Sequence, residues 1–245
     1  MGQESKAEVI ARLQKDLLAL QGLRLTQGCS AVDAALGTIV QAFPNKTFPI
    51  GAIHEFLSMS SEDMAATTGF ISGLLGALMQ RGGPCMWIGP TRTIFAPALK
   101  FFEIDPEKIC FVQLEREKEL LWAIEEALKC HSLAAVIGEV NDLSFTSSRR
   151  LQLATEKSQV TGFLLRHQPR KLNTTACMTR WHVMALSSDL PEGLPGVGYP
   201  RWEVTLDKVR SGRPGTWQVE WADGFFSPVQ SAPVTESQTL IRKIG

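Results

Sequence analysis

Long apolar runs are missing from this chain: nowhere in its 245 residues is there an uninterrupted apolar stretch of the ~18 residues that a membrane-spanning helix needs. The opening Met1-Gly-Gln-Glu-Ser-Lys6 leads into an amphipathic segment rather than the apolar core of a secretory signal, so a cytoplasmic protein is expected, with no membrane among its partners. Paired cysteines are missing as well. Cys29, Cys85, Cys110, Cys130 and Cys177 stand singly, with no Cys-x-x-Cys spacing, which argues against thiol redox chemistry and predicts reduced core residues. His54, His131, His167 and His182 are equally dispersed, and none has a second His or a carboxylate at zinc-ligand spacing, so no metal site is expected. A net charge is missing too: 25 basic residues balance 25 acidic ones, which argues against polyanion binding by the surface as a whole.

What is present is the composition of an ordinary globular protein, 44% hydrophobic and 20% charged, at a length that one generous core can occupy. The zero charge conceals a split. Lys and Arg number 12 against 17 Asp and Glu over residues 1–143, 11 against 5 over 144–213 and 2 against 3 thereafter, so a basic face would belong to the C-terminal half. Three units are expected: a helical arm and linker over 1–47, a core over 48–226 and a tail over 227–245. Residues 5–21 carry Val9, Ile10, Leu13, Leu17 and Leu20 at helical spacing, an amphipathic arm that packs either on its own domain or on another subunit.

From residue 53 the chain alternates strand-like runs (53–57, 84–88, 109–114, 133–140, 161–165) with helical ones (62–81, 94–102, 117–129, 145–158). This predicts an α/β fold with a mostly parallel sheet covered by helices. Runs at 181–186, 201–209 and 216–221 extend the sheet with antiparallel strands, the last two joined through Ser211-Gly-Arg-Pro-Gly215. Residues 187–200 read as a surface loop. The tail reads as polar and turn-prone, with an apolar end at Leu240, Ile241 and Ile244.

In an NTPase of this plan the turn after the first core strand holds the phosphates, with a glycine-rich nest of backbone N–H groups, a lysine and a hydroxyl residue. Here that place reads His54-Glu-Phe-Leu-Ser-Met-Ser-Ser-Glu-Asp-Met-Ala-Ala-Thr-Thr-Gly69, without the nest or the lysine. Glu62 and Asp63 suit the helix dipole there but repel a polyanion. Ser58, Ser60, Ser61, Thr67 and Thr68 are the hydroxyl remnants of such a site. Glu139, at the end of the run 134–140, is either a magnesium carboxylate or a structural one bonded to a neighbouring loop. Losing the lysine and the nest removes most of the electrostatic stabilisation that phosphoryl transfer depends on, so neither ATPase activity nor a cofactor is expected.

This ordered set of pieces resembles the RecA-like ATPase core and, more closely, the ImuA family of bacterial damage-inducible mutagenesis proteins, in its shorter Bacteroidetes-type form. The resemblance covers nearly the whole chain. It is carried by Phe48-Pro-Ile-Gly-Ala-Ile-His-Glu-Phe-Leu57, Thr91-Arg-Thr-Ile-Phe-Ala-Pro-Ala-Leu99, Thr146-Ser-Ser-Arg-Arg-Leu-Gln-Leu153 and Lys208-Val-Arg-Ser-Gly-Arg-Pro-Gly-Thr-Trp217. It implies a RecA-like core and the role of a non-enzymatic adaptor in translesion synthesis. The partners it implies are a Y-family-like polymerase of ImuB type, an error-prone replicative-type polymerase subunit and RecA.

Lys208-x-Arg210, with Gly212 and Gly215, looks like the hairpin by which hexameric RecA-like motors sense a neighbour's nucleotide. Without a phosphate it reads as a solvent-exposed basic hairpin, with subunit contact as the alternative. In RecA, DNA is held by loops at the carboxyl edge of the sheet, and 166–180 is roughly the matching stretch. Arg149, Arg150, Arg166, Arg170 and Lys171 are therefore candidates for weak, salt-sensitive DNA binding, against a bland reading as solvated charge. Partner contact is assigned to Val9, Leu13 and Leu17, to Lys208 and Arg210, and to Leu240 and Ile241. Trp217 and Trp221 share a strand face, which is either core or a stacking platform for bases. Two other functions fit the same residues: a SulA-like inhibitor of cell division, and an ATP-binding protein with an unconventional cradle at residues 58–61.

Overall fold

Short apolar runs that lack a polar face can only be buried on both sides, and in the computed structural model, which describes residues 29–91, 94–188 and 198–229, they form the centre of a nine-stranded sheet. The strands are β1 (Ile53–Ser58), β2 (Cys85–Gly89), β3 (Ile109–Gln113), β4 (Ala135–Glu139), β5 (Thr161–His167), β6 (Thr179–Leu186), β7 (Arg201–Val209), β8 (Gly215–Ala222) and β9 (Phe225–Pro228). Their order is β3-β2-β4-β5-β1-β6-β7-β8-β9. Every pairing from β3 through to β6 is parallel, and those of β7, β8 and β9 are antiparallel. This is the α/β sheet expected, consistent with a RecA-like core.

Helix α1 (Ser30–Leu36) and helix α2 (Ser61–Met79) pack on one face, whereas α3 (Glu117–Leu128) and α4 (Phe145–Ser158) pack on the other. β1 is buried at all six positions, so alternate side chains enter different cores. Ile53 joins Ile124, Leu128 and Leu164, while Phe56 joins Phe70, Phe163 and Trp181. Helix α2 is buried from Phe70 to Leu78 because it serves both halves of the sheet. Its glycines make that possible: a Cβ at Gly73 would lie 2.6 Å from the Phe226 ring, and one at Gly76 would lie 2.3 Å from the Phe102 carbonyl oxygen.

Several expectations change. The boundary at residue 47 is not found, because Val32, Leu36 and Ile39 have no exposed surface and belong to the main core. A two-turn helix running into a 3-10 turn is too short to show a hydrophobic period, so the stretch reads as linker. The chain forms β9 where the tail was expected to begin, with Phe226 1% exposed. Of the pair read as core or stacking platform, Trp221 is buried and Trp217 is partly buried against the same core, alongside buried Trp181 and Trp202, which favours the core reading. Cys29, Cys85 and Cys177 are buried as expected, whereas Cys110 and Cys130 are exposed. The arm with Val9, Leu13 and Leu17 and the tail with Leu240 and Ile241 lie outside the described residues. Among the described residues no helix is long and apolar enough to cross a membrane.

Candidate functional site

The turn where a phosphate would sit is only Met59-Ser60, between β1 and α2. Ser60 is the extended N-cap residue, and its hydroxyl accepts from the Asp63 N–H at 3.0 Å. The Asp63 carboxylate in turn accepts from the N–H groups of Met59 and Ser60, each at 3.1 Å. This closed capping box gives to Asp63 the very donors that would face a phosphate. Ser58 and Thr67 are fully buried and bonded to each other through their hydroxyls at 3.1 Å. Of the remnant hydroxyl residues, only Ser61 and Thr68 line the neighbouring space.

That space is a cleft of about 880 Å³ outside the carboxyl ends of β2, β4 and β5, the position at which open α/β sheets take ligands. Its lining combines apolar Met64, Ile94, Phe95, Leu99 and Phe102 with acidic Glu115, Glu117 and Glu139. No lysine or arginine is found among the described residues that line it. Glu139 accepts from the Trp87 indole N–H at 2.7 Å. Burial raises its pKa from the ordinary carboxylate value, and the indole bond opposes this in part. Its hydrogen-bond partner is a strand residue rather than a neighbouring loop. Glu117 accepts from the Asp142 N–H at 2.9 Å, and Nδ1 of His167, another wall residue, is buried with no hydrogen-bond partner.

A second polar centre lies on the opposite face of the sheet. Glu55 is fully buried in β1 and binds Arg166 of β5 at 2.6 Å, Arg180 of β6 at 2.9 Å and the Thr175 hydroxyl at 2.8 Å. The arginines then donate onward to backbone carbonyls, Arg166 to Asn141 and Lys171, Arg180 to Asn173. The expectation that Arg166 faces DNA is therefore corrected: it has no exposed surface, and its guanidinium is spent inside the protein. Arg149 and Arg150 are exposed but paired with Glu156 and Glu125 at 3.5 and 2.5 Å. Arg170 and Lys171 remain on the surface.

The basic hairpin is corrected too. Lys208 is half-buried and donates to the Thr175 carbonyl at 2.7 Å, and Arg210 donates to that of Ala176 at 3.4 Å. Desolvation, as the largest influence, lowers the Lys208 pKa. The hairpin is thus a clasp on the connection between β5 and β6, which Ser148 also holds by accepting from the Ala176 N–H at 2.9 Å.

On the α2 side of β1, His54 stacks on Phe48 at 4.4 Å between centroids. It donates through Nε2 to the Pro49 carbonyl at 2.9 Å and accepts through Nδ1 from Thr179 at 2.8 Å, and burial pushes its pKa down to about 3. Sequence reasoning gave no role to Glu55 or His54. The available signal was two adjacent polar residues inside an otherwise apolar central strand, where each must find a partner.

No protein-family model matches the chain. Protein ImuA of Caulobacter vibrioides strain NA1000 / CB15N is 32% identical to it over 198 residues, covering 76% of this chain and 81% of that protein. Protein ImuA of strain ATCC 19089 / CIP 103742 / CB 15 matches to the same extent. Among solved structures, SulA from Pseudomonas aeruginosa aligns with a TM-score of 0.41 at 18% identity, over 47% of this chain and 97% of that one.

Proposed function

The chain belongs to the ImuA family, and from that premise we propose that it is a non-enzymatic accessory protein of damage-induced mutagenesis, serving translesion synthesis as an adaptor. Its direct partner is a Y-family-like polymerase of ImuB type, with an error-prone replicative-type polymerase subunit and RecA as further members of the assembly. The observation that carries the non-enzymatic reading is the β1–α2 turn. Two residues long, with its N–H groups taken by Asp63, it offers no nest for a phosphate, and no lysine or arginine is found among the described residues of the adjoining cleft. A direct contact with DNA falls to Arg170 and Lys171, the two candidate basic residues that are exposed and outside the paired set.

The test is affinity capture of the tagged protein from DNA-damaged host cells, together with melting in ATP and magnesium. Recovery of the Y-family-like polymerase with no nucleotide-dependent rise in melting temperature is expected. Recovery of the division-ring protein would replace this reading with the SulA-like one, and a saturable rise with ATP would replace it with nucleotide binding.

A further inference from the structure

Among its described lining residues, the cleft at the carboxyl ends of β2, β4 and β5 carries the wrong charge for a phosphate and the right one for a cation. Glu115 and Glu117, two residues apart, and Glu139 from the end of β4 line it together with apolar Ile94, Phe95 and Phe102. Phe95 is 73% exposed, so the apolar wall stands open. A complementary ligand is a peptide segment with basic side chains set among branched apolar ones.

The chain itself contains such a segment in Leu240-Ile241-Arg242-Lys243-Ile244. The register shows that it starts from the right end of the sheet. The Val229 N–H bonds to the Gln218 carbonyl at 2.9 Å, Gln218 pairs with Glu203, and Glu203 with Met184. Since His182 pairs with Leu57, Met184 is level with residue 59, and so Val229 stands at the end of β9 level with the carboxyl end of β1, where the cleft also opens; β9 runs antiparallel to β1, so the chain must turn there to reach it. From β9 to β5 is five strand spacings in the sheet order. At ~4.8 Å each that is ~24 Å, whereas the stretch of chain from residue 229 to residue 240 spans up to ~36 Å.

We propose that residues 240–245 dock in the acid-lined cleft of their own chain, with Arg242 and Lys243 against the three glutamates and the aliphatic side chains against the Phe95 wall. The site stands where a nucleotide would stand in this fold, and a partner segment of the same basic and apolar chemistry would have to displace the tail. The proposal does not depend on which partner the protein serves.

The experiment uses the full-length chain at low concentration with a zero-length carbodiimide, followed by digestion and mass spectrometry, and in parallel hydrogen exchange. Lys243 is expected to be joined to Glu115, Glu117 or Glu139 within monomers, and Arg242→Glu to reduce those links at least five-fold. Replacing both basic residues by Glu should speed exchange at residues 94–102 and 139–141 at least ten-fold. Links from Lys243 scattered over carboxylates such as Glu107 and Glu220, or no change in exchange, would overturn the proposal. Links confined to covalent dimers would overturn it as well, by assigning the segment to a second copy.

Discussion

Two carboxylates, Glu55 and Glu139, occupy parallel strands of one sheet and meet opposite fates. Glu55 sits mid-strand and is saturated by two arginines and a threonine, so nothing is left over for a ligand. Glu139 ends its strand with a single indole partner and faces a cleft. Glu55 and its neighbour His54 make β1 a polar spine that locks β5, β6 and the connection between them. The groups at the carboxyl ends, Glu139 and the unpartnered Nδ1 of His167, keep capacity to spare. For these two carboxylates, position along the strand separates the one that builds the fold from the one that faces open space.

The sharpest way to break that comparison is to neutralise each centre in turn. Arg166→Ala leaves Glu55 buried with an incomplete set of partners and should cost about 3–5 kcal/mol in urea unfolding, whereas Glu139→Gln should change stability by less than about 1 kcal/mol. Equal losses would erase the distinction.

Acid titration separates the two regions by sign. His54 stays neutral in the folded chain down to about 3, while the unfolded chain takes up its proton below ~6.5. Its contribution is therefore complete above ~6.5 and is lost as the pH falls toward about 3, at up to ~1.4 kcal/mol per pH unit. Glu139, with its pKa raised, acts the other way, because the folded chain binds that proton first and gains stability as the pH falls through the folded value. Chemical unfolding measured between pH 7 and pH 4 should show a shallower acid loss for His54→Asn and a steeper one for Glu139→Gln.

The smallest contrast lies among the basic residues. Lys208→Ala removes a donor from a half-buried carbonyl and should cost about 1–2 kcal/mol. Arg149→Ala and Arg150→Ala break exposed pairs and should each stay within about 1 kcal/mol in the same measurement.

These contrasts also mark what could be read from the chain. Strands β1 to β8 and the three longer helices were legible, because a buried parallel strand is a short apolar run and each helix has a length that no strand shares. Helix α1 was hidden by its two turns and by the glycines and prolines after it. Arg166 was misread for a physical reason: beside Arg170 and Lys171 it looks like one member of a basic patch, and its true partner lies 111 positions earlier in the sequence. The segment 91–99 was quoted for its resemblance alone, yet it supplies Ile94, Phe95 and Leu99 to the cleft. The other quoted segments serve the fold, with Phe48 and Pro49 seating His54, Gln152 accepting from the Ile53 N–H, and Lys208 clasping Thr175.

The pairing of β1 with β5 and β6 also governs when the protein can fold. The Thr179 hydroxyl that His54 needs comes 125 residues later in the chain, and so does Arg180 for Glu55. At ~5–20 residues per second, the ribosome leaves this central strand without those partners for ~6–25 s. During that interval an apolar strand with two unmet polar groups is open to misassembly, so the nascent chain's greatest exposure to aggregation falls before β6 has emerged.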